Sequence, residues 1–173
     1  MVLAVSGSLR RLSTNSALLG AARLLAPGLD ITPYDGLAGL PAFNPDLGDA
    51  GAPGAVLEWR ARLHRARGVL FSAPEYAHGL PGVLKNALDW VVGSGELVGK
   101  PVAILHASPR ATFALAQLSE TLRVMSAQLV PTASITLSLG GSTLDAEGLA
   151  GDAAVAAPLR DALAAFARAC SPG

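Results

Sequence analysis

Two polar loops carry the side chains of this sequence that could bind a ligand, and each follows a short apolar segment. The first loop, residues 6–16, combines hydroxyls, an amide and a guanidinium at the start of a predicted helix, from Ser8, Arg10, Ser13, Asn15 and Ser16. A helix N-terminus offers unpaired N–H groups and a partial positive charge, so this loop could hold a phosphate. The alternative is that Ser13 or Asn15 only caps the helix and that Arg10 is solvated.

The second loop, residues 72–82, places an aromatic residue between an apolar strand and an amphipathic helix. Tyr76 could present its ring to a planar ligand, with Pro74 stiffening the approach and backbone N–H groups nearby. The other interpretation is that Tyr76 and Trp90 pack in the core, which we predict for Trp90. Open α/β sheets bind ligands beyond the carboxyl ends of their strands, where both loops would lie. A loop for an anion and a loop for a flat ring indicate a nucleotide-like ligand.

Other patterns that carry chemistry are missing. No G-x-G-x-x-G follows Val5, and residues 95–101 lack the Ser or Thr of a P-loop and precede a strand, so ATP and a Rossmann dinucleotide are not predicted at the first loop. His64, His78 and His106 have no metal-ligand spacing, and no Ser lies in a G-x-S-x-G elbow. We therefore predict no metal site and assign no side chain as a catalytic acid, base or nucleophile.

Composition limits the function classes that remain. The 173 residues fit one domain, residues 1–173, and 13 Lys and Arg balance 13 Asp and Glu. Because no basic run exceeds two residues, binding to nucleic acid is not predicted. Only 15% of the residues are charged, against roughly 25% in an average soluble protein. This indicates either a surface covered by another subunit or the Ala- and Arg-rich usage of a high-GC genome.

Neither a disulfide nor a membrane segment is expected. Cys170 is the only cysteine, which excludes a disulfide scaffold and a cysteine-based metal site. Met1 leads directly into a strand rather than into a signal peptide. The longest uncharged run, residues 124–144, contains Pro131, glycines and many hydroxyl side chains, so a membrane-embedded helix would be costly there. We therefore expect a cytoplasmic protein.

The elements that position both loops alternate between strands and helices. Strands are predicted at residues 2–6, 29–34, 68–73, 101–107 and 130–137, and Pro33 would confine the second strand to a sheet edge. Helices are predicted at about residues 14–25, 55–67, 80–92, 111–128 and 158–169. This alternation favours parallel strands joined by right-handed crossovers. The predicted fold is one doubly wound α/β domain of about flavodoxin size.

Five motifs occur in order between residue 2 and about residue 130. They are Gly7-Ser8-Leu9-Arg10-x-x-Ser13-x-Asn15, Leu40-Pro41-x-Phe43-Asn44-Pro45-Asp46-Leu47, Pro74-Glu75-Tyr76, Leu80-Pro81-Gly82-Val83-Leu84-Lys85-Asn86-Ala87-Leu88-Asp89-Trp90 and Gly99-Lys100-Pro101-Val102. Together they resemble the NADPH-dependent FMN reductase family, the flavodoxin-like group that includes quinone, azo-dye and chromate reductases.

The resemblance implies a five-stranded parallel sheet of order 2-1-3-4-5, helices on both faces and noncovalently held FMN. It implies that the FMN phosphate is held by Ser8, Arg10, Ser13, Asn15 and Ser16. It also implies that the flavin ring is lined by Pro74, Glu75, Tyr76, Ala77, His78 and Ser108. NADPH or NADH would donate a hydride, and a small-molecule acceptor such as a quinone or free flavin would receive it. The family's homodimers or homotetramers, with a flavin site near a subunit interface, agree with the low charge.

Two departures from the family pattern leave a second hypothesis open. The family usually has Asn where this chain has Ala77, and a Gly-rich loop where this chain has residues 108–113 without glycine. Pro109 restricts that loop and removes an N–H donor. The alternative to an FMN-dependent NAD(P)H oxidoreductase is therefore a flavin-binding or electron-carrier protein, or a degenerate member with weak or no FMN binding.

Overall fold

The computed structural model describes residues 1–48, 51–140 and 142–171. Its strands are β1 (Val2–Ser6), β2 (Ile31–Tyr34), β3 (Val69–Ser72), β4 (Pro101–His106), β5 (Gln128–Leu129) and β6 (Ile135–Thr136). Its helices are α1 (Thr14–Leu25), α2 (Gly54–Arg65), α3 (Gly82–Asp89), α4 (Thr112–Val124), α5 (Ala146–Gly151) and α6 (Ala153–Ala169). Residue 141 of the predicted uncharged run, and residues 49, 50, 172 and 173 of the predicted domain, lie outside the described residues.

The strands form a parallel sheet in the order β2-β1-β3-β4-β5, which confirms the predicted order. β2 stands at one end of that order, with Pro33 in register with Ala4 of β1. Proline cannot donate to a ladder on a second side, so the predicted edge position of this strand is also confirmed. The strands β1, β3 and β4 lie in the middle of the sheet, and the loops at their carboxyl ends are therefore neighbours.

Successive strand residues are buried on opposite faces of the sheet. On one face Leu3, Val69 and Phe71 pack with residues of α2, α3 and α4, including Trp59, Leu88 and Leu122. On the other face Val2, Ala4 and Leu70 pack with residues of α1, α5 and α6, including Leu18, Leu149 and Phe166. Because helices cover both faces, the strands read as continuous apolar runs. The predicted doubly wound arrangement is confirmed.

The predicted fifth strand, residues 130–137, is interrupted in the structure. β5 and β6 both pair with β4, and a 3₁₀ turn, Pro131–Ala133, lies between them. Pro131 has no N–H to give to the ladder, so the chain leaves the sheet there. The hydroxyl of Ser134 takes the place of a backbone carbonyl by accepting a 3.1 Å hydrogen bond from the N–H of Ile104. The prediction of one continuous strand is wrong, although its place beside β4 is correct.

The fourth helix is shorter than predicted. It ends at Val124 rather than at Gln128, because Ser126 adopts a φ of 58° and the chain then enters β5. A residue in the left-handed region cannot continue a right-handed helix. The third helix is also shorter than the predicted 80–92, since its helical residues begin at Gly82 and end at Asp89.

The last helix begins earlier than predicted. It starts at Ala153, where the Asp152 carboxylate accepts a 2.9 Å hydrogen bond from the N–H of Ala154 and caps the first turn. Pro158 therefore lies inside the helix, not in its first turn as predicted. The short helix α5 was not predicted. Within the described ranges, no helix has both the length and the apolar character needed to cross a membrane.

Candidate functional site

The loops after β1 and β3 run side by side because of one glycine. The N–H of Gly7 donates a 2.8 Å hydrogen bond to the carbonyl of Ser72. A Cβ atom at position 7 would lie 3.0 Å from Cβ of Ala73 and 3.1 Å from a methyl of Leu84. These contacts are tighter than ordinary packing, so glycine at position 7 lets the first loop approach the second without displacing Ala73 or Leu84.

The first loop ends in a capped helix start. Ser13 is the N-cap of α1, and its hydroxyl accepts a 3.3 Å hydrogen bond from the N–H of Ser16. The first intrahelical bond runs from the N–H of Ala17 to the carbonyl of Ser13, at 2.8 Å. The N–H groups of Thr14 and Asn15 precede this bond and have no intrahelical partner. The capping role left open for Ser13 is present, and these two amides can still serve an anion.

Serine hydroxyls shape the rest of the first loop. The hydroxyls of Ser6 and Ser16 are 2.8 Å apart and share a hydrogen bond. Ser6 also accepts from the N–H of Ser8 at 3.3 Å, and the Ser8 hydroxyl accepts from the N–H of Arg10 at 3.3 Å. The Arg10 side chain is exposed. The backbone of the loop is therefore held by hydrogen bonds within the loop, and the guanidinium of Arg10 extends into solvent.

A central cavity of about 350 Å³ lies at the carboxyl ends of the middle strands. This volume is at the lower end of the roughly 300–1,000 Å³ usual for ligand pockets. The loops after β1, β3 and β4 line it together with the chain after β6, through Thr14, Asn15, Ala73, Pro74, Glu75, His106, Ala107, Ser108, Arg110, Ala111, Leu139 and Gly140. Of the predicted site residues, Asn15, Pro74, Glu75 and Ser108 are brought together here.

A second cavity, which we call the arginine cavity, lies on the other side of the start of α1. It has a volume of about 330 Å³ and is lined by Arg10, Arg11, Leu12, Ser13, Thr14, Ser16, Ala17, Ser142, Thr143, Leu144, Asp145 and Ala146. Thr14 lines both cavities. The positive end of the helix α1 is therefore placed between them.

The predicted ring-binding residues Tyr76, Ala77 and His78 form a tight turn. Tyr76 and Gly79 exchange two backbone hydrogen bonds, of 3.1 and 3.0 Å, and the turn residues Ala77 and His78 have φ values of 49° and 58°. Positive φ at both central positions defines a type I′ turn. These three residues do not line the central cavity, and Tyr76 is 54% exposed. Core packing, the alternative considered for Tyr76, is therefore wrong.

Two side chains fasten the loop after β3 to the helix α4. The Glu75 carboxylate accepts a 2.9 Å hydrogen bond from the N–H of Ala114, in the first turn of α4. The Gln117 side-chain oxygen accepts a 2.7 Å hydrogen bond from the N–H of Leu80. Because the N-cap residue of α4, Ala111, has no side-chain acceptor, Glu75 supplies the cap from another loop. Glu75 therefore has a structural role beside its place in the cavity wall.

The loop after β4 closes without glycine. The hydroxyl of Ser108 accepts a 3.3 Å hydrogen bond from the N–H of Arg110, and its carbonyl accepts a 3.2 Å bond from the N–H of Ala111. None of residues 108–113 has a positive φ, so ordinary side chains fit this backbone. Pro109 is exposed, where a missing N–H costs little. The restriction expected from Pro109 does not prevent a compact turn.

His106 is a cavity residue that was missed as a site residue. It is the last residue of β4, is 3% exposed and lines the central cavity. Burial lowers its pKa below the ordinary value, while the backbone of Ala111 and Ser108 and the charge of Glu75 act in the opposite direction. The position of His106 at the carboxyl end of a central strand was the feature of the sequence that could have identified it as a site residue.

Trp90 has the core role predicted for it. It is 2% exposed, and its indole N–H donates a 2.8 Å hydrogen bond to the carbonyl of Pro41. The ring of Phe43 packs edge-on against it, with ring centres 5.2 Å apart. These contacts connect the second and fourth of the five sequence motifs, so part of the motif pattern serves packing.

Comparisons with known proteins agree with this architecture. The sequence profile of the NADPH-dependent FMN reductase family matches residues 1–141. An NAD(P)H-dependent FMN reductase of Pseudomonas aeruginosa is 40% identical over 153 residues, which are 85% of this chain and 82% of that protein. A 2-hydroxy-1,4-benzoquinone reductase of a Burkholderia species is 39% identical over 107 residues, 60% of this chain and 58% of that protein.

A solved structure is similar over nearly the whole chain. The flavoenzyme NAD(P)H:(acceptor) oxidoreductase FerB from Paracoccus denitrificans superposes with a TM-score of 0.86 at 31% identity, and the match covers 98% of this chain and 96% of that one. The family match and the strand order confirm the resemblance predicted from the five motifs. The chain belongs to the NADPH-dependent FMN reductase family.

Proposed function

We propose that FMN binds across the start of α1, with its phosphate on the side of the arginine cavity and its ring in the central cavity. One observation carries this proposal, namely that Thr14 at the first helical position lines both cavities. A ligand with an anionic end and a flat end can therefore place each in a suitable cavity while its middle passes the helix N-terminus.

The residues present fit the phosphate end of such a ligand. The amides of Thr14 and Asn15 lack intrahelical partners, the exposed guanidinium of Arg10 lies at the arginine cavity, and Ser16 adds a hydroxyl. Hydrogen bonds to charged groups contribute roughly 1.5–3 kcal/mol each. Ser13 and Ser8 act chiefly on the loop backbone, since their hydroxyls accept from N–H groups of the chain.

The residues of the central cavity fit the flat end. Pro74 and Ala73 supply an apolar wall, and Ser108 and the neighbouring backbone supply polar groups. The turn at residues 76–79 stands beside this wall, and its exposed Tyr76 ring is free to contact a ring or a partner. We propose that the turn covers the outer side of the bound flavin, which keeps the predicted ring contacts of Tyr76, Ala77 and His78 as a hypothesis.

As a member of this family the chain is an oxidoreductase that uses FMN and a nicotinamide donor. When bound, FMN would supply the two-electron redox chemistry between a nicotinamide donor and an acceptor. The chain's own residues hold the phosphate, orient the ring and exclude water from its inner side. No side chain needs to act as acid or base for these tasks, so none is assigned as catalytic.

We propose a quinone as the class of acceptor, supported by the similarity to the 2-hydroxy-1,4-benzoquinone reductase. A quinone is flat and would stack on the flavin where the nicotinamide had been. Either NADPH or NADH would serve as the donor, and the homo-oligomeric state and cytoplasmic location expected from the sequence stay predictions.

Titration of the purified protein with FMN tests the proposal. Arg10→Ala removes one charge-assisted hydrogen bond, so the FMN dissociation constant should rise by about one to two orders of magnitude. Arg168→Ala removes an exposed arginine of α6 and should leave the FMN dissociation constant unchanged. An unaffected Arg10→Ala variant would exclude this arginine from the phosphate site. A protein that takes up no FMN at all would favour the degenerate-member alternative.

A second measurement separates an enzyme from an electron carrier. The FMN-loaded protein should be yellow, should bleach on anaerobic addition of NADPH or NADH, and should recover its colour with a quinone. A flavin that binds tightly yet is not bleached by either nicotinamide would favour the carrier alternative.

A further inference from the structure

His106 carries a buried ring nitrogen that has no hydrogen-bond partner among the described residues. Among the described residues, its Nε2 is the one buried side-chain nitrogen or oxygen without a hydrogen-bond partner. A buried polar atom left without a partner destabilises a protein, and native structures contain few of them. His106 also lines the central cavity, so its imidazole ring belongs to the wall of a candidate ligand site.

The surroundings of the ring decide what this nitrogen can do. The backbone of Ala111 and Ser108 acts to raise the pKa of His106, as carbonyl acceptors beside a ring N–H do. Because Nε2 has no hydrogen-bond partner, we assign the hydrogen of the neutral ring to Nδ1. Burial lowers the pKa of His106, which favours the neutral ring. A neutral ring with its hydrogen on Nδ1 presents Nε2 as a hydrogen-bond acceptor.

We propose that Nε2 of His106 accepts a hydrogen bond from FMN, so that this histidine is a binding residue for the cofactor. The inference rests on the proposed function, because it requires the flavin to enter the central cavity. FMN offers two kinds of donor, the N3–H of its ring and the hydroxyls of its ribityl chain. Either donor would satisfy the acceptor that the apoprotein leaves unused.

Two variants of His106 test the idea without an activity assay. His106→Leu and His106→Phe remove the acceptor and fill the space with apolar atoms. We expect FMN to bind them roughly two- to twelve-fold more weakly, the effect of one neutral hydrogen bond. The melting temperature of the apoproteins should be unchanged or higher, because an unsatisfied polar atom has been removed. Loss of affinity together with retained stability is a pair of results that a merely structural histidine would not give.

Controls and a rescue make the comparison specific. His64→Leu changes an exposed histidine of α2 and should bind FMN like the unchanged protein. His106→Gln places an amide oxygen near the position of Nε2 and should recover part of the affinity. If either His106→Leu or His106→Phe does not fold, the other variant and His106→Gln can still be compared with the unchanged protein for FMN affinity.

An FMN analogue methylated at N3 identifies the donor. If the ring N–H is the partner, the analogue should bind the unchanged protein and His106→Leu equally weakly. If a ribityl hydroxyl is the partner, His106→Leu should weaken the analogue as much as it weakens FMN. Both outcomes support the proposal and differ only in the atom concerned.

Other outcomes would overturn it. Equal or tighter FMN binding by folded His106→Leu would show that Nε2 is not used or that the imidazole obstructs the flavin. If Arg10→Ala still weakens FMN in that case, the proposed function stands and only the role of His106 fails. Absence of FMN binding by the unchanged protein would refute both.

Discussion

The hydroxyl of Ser72, at the end of β3, donates a 2.9 Å hydrogen bond to the side-chain oxygen of Asn15 in the first turn of α1. Ser72 is fully buried, and Asn15 is 8% exposed. The bond joins the two loops that flank the central cavity. It also uses the oxygen of the Asn15 amide, which leaves the amide nitrogen to donate to a ligand.

Asn15→Ala and Asn15→Asp should separate these two roles. The Ala variant leaves the Ser72 hydroxyl without its acceptor, and we expect a loss of about 1–3 kcal/mol in the free energy of unfolding by urea. The Asp variant keeps an acceptor but adds a negative charge at the start of α1, where we propose that the FMN phosphate binds. It should retain more of the stability and bind FMN about tenfold more weakly, or worse. Unchanged FMN affinity in the Asp variant would place the phosphate elsewhere.

Ala77 sits in a conformation that alanine disfavours. Its φ of 49° costs a non-glycine residue roughly 1–2 kcal/mol, whereas Gly and Asn adopt this region more readily. Ala77→Gly and Ala77→Asn should therefore both raise the free energy of unfolding, by about 1 kcal/mol for Gly. Urea unfolding of the apoproteins measures this. If neither variant is more stable, the turn is not strained in solution.

The same pair of variants tests the sequence-based hypothesis that Ala77 lacks an amide contact with the flavin. That hypothesis predicts that Asn alone tightens FMN binding, by roughly two- to twelve-fold. A purely conformational role predicts similar effects of Gly and Asn on FMN affinity. Parallel FMN titrations of the two variants distinguish these explanations, and weaker binding by the Asn variant alone would refute both.

Glu75 caps α4 from a neighbouring loop, so removal of its carboxylate should lower the stability of the protein. Glu75→Ala removes the acceptor of the Ala114 N–H and should lower the free energy of unfolding by about 0.5–2 kcal/mol. Glu75→Gln keeps an acceptor oxygen and should lose less, mainly the favourable interaction of a negative charge with the helix start. Equal stability of all three proteins in urea would show that the cap is dispensable.

The raised pKa of Tyr34 predicts a loss of stability in alkaline solution. Its burial, together with the charge and hydrogen bond of Glu58, raises its pKa from 10.0 to about 12. The unfolded chain therefore releases this proton at lower pH than the folded protein does. The stabilising contribution is complete below about pH 10 and is lost as the pH rises toward 12. In Tyr34→Phe, the decline of unfolding free energy over this range should be shallower.

Ultraviolet absorbance gives an independent check on Tyr34. In a Tyr76→Phe background Tyr34 is the only tyrosine, so the phenolate signal reports it alone. The signal should appear well above the ordinary pH for tyrosine, or together with unfolding. A phenolate that forms near pH 10 in the folded protein would contradict the assigned burial effect.

Local sequence patterns were enough to predict the alternating strands and helices and to recognise the family, and that resemblance implied the strand order. Strands covered on both faces need unbroken apolar runs, and Val2–Ser6 shows that signal directly. Ser13 before an apolar helical face predicted the start of α1, which begins at Thr14. These features depend on residues close in sequence, and the five motifs could therefore be recognised without a structure.

Contacts between distant residues were decided only by the tertiary structure. Three such contacts join segments that are far apart in the sequence. They are Gly7 with Ala73, Asn15 with Ser72, and Glu75 with Ala114. After the break of the fifth strand at Pro131, the Ser134 hydroxyl accepts a hydrogen bond from Ile104 of β4, a contact that propensity cannot reveal.

The placement of the site residues shows the same division. Sequence reasoning chose loops of which Asn15, Pro74, Glu75 and Ser108 line the central cavity, because parallel strands end there. It could not show that Tyr76, Ala77 and His78 turn away from the central cavity, or that His106 turns into its wall. Side-chain direction at a strand end depends on the turn that follows. In this protein those turns are held by hydrogen bonds that Ser108 accepts and by hydrogen bonds between Tyr76 and Gly79.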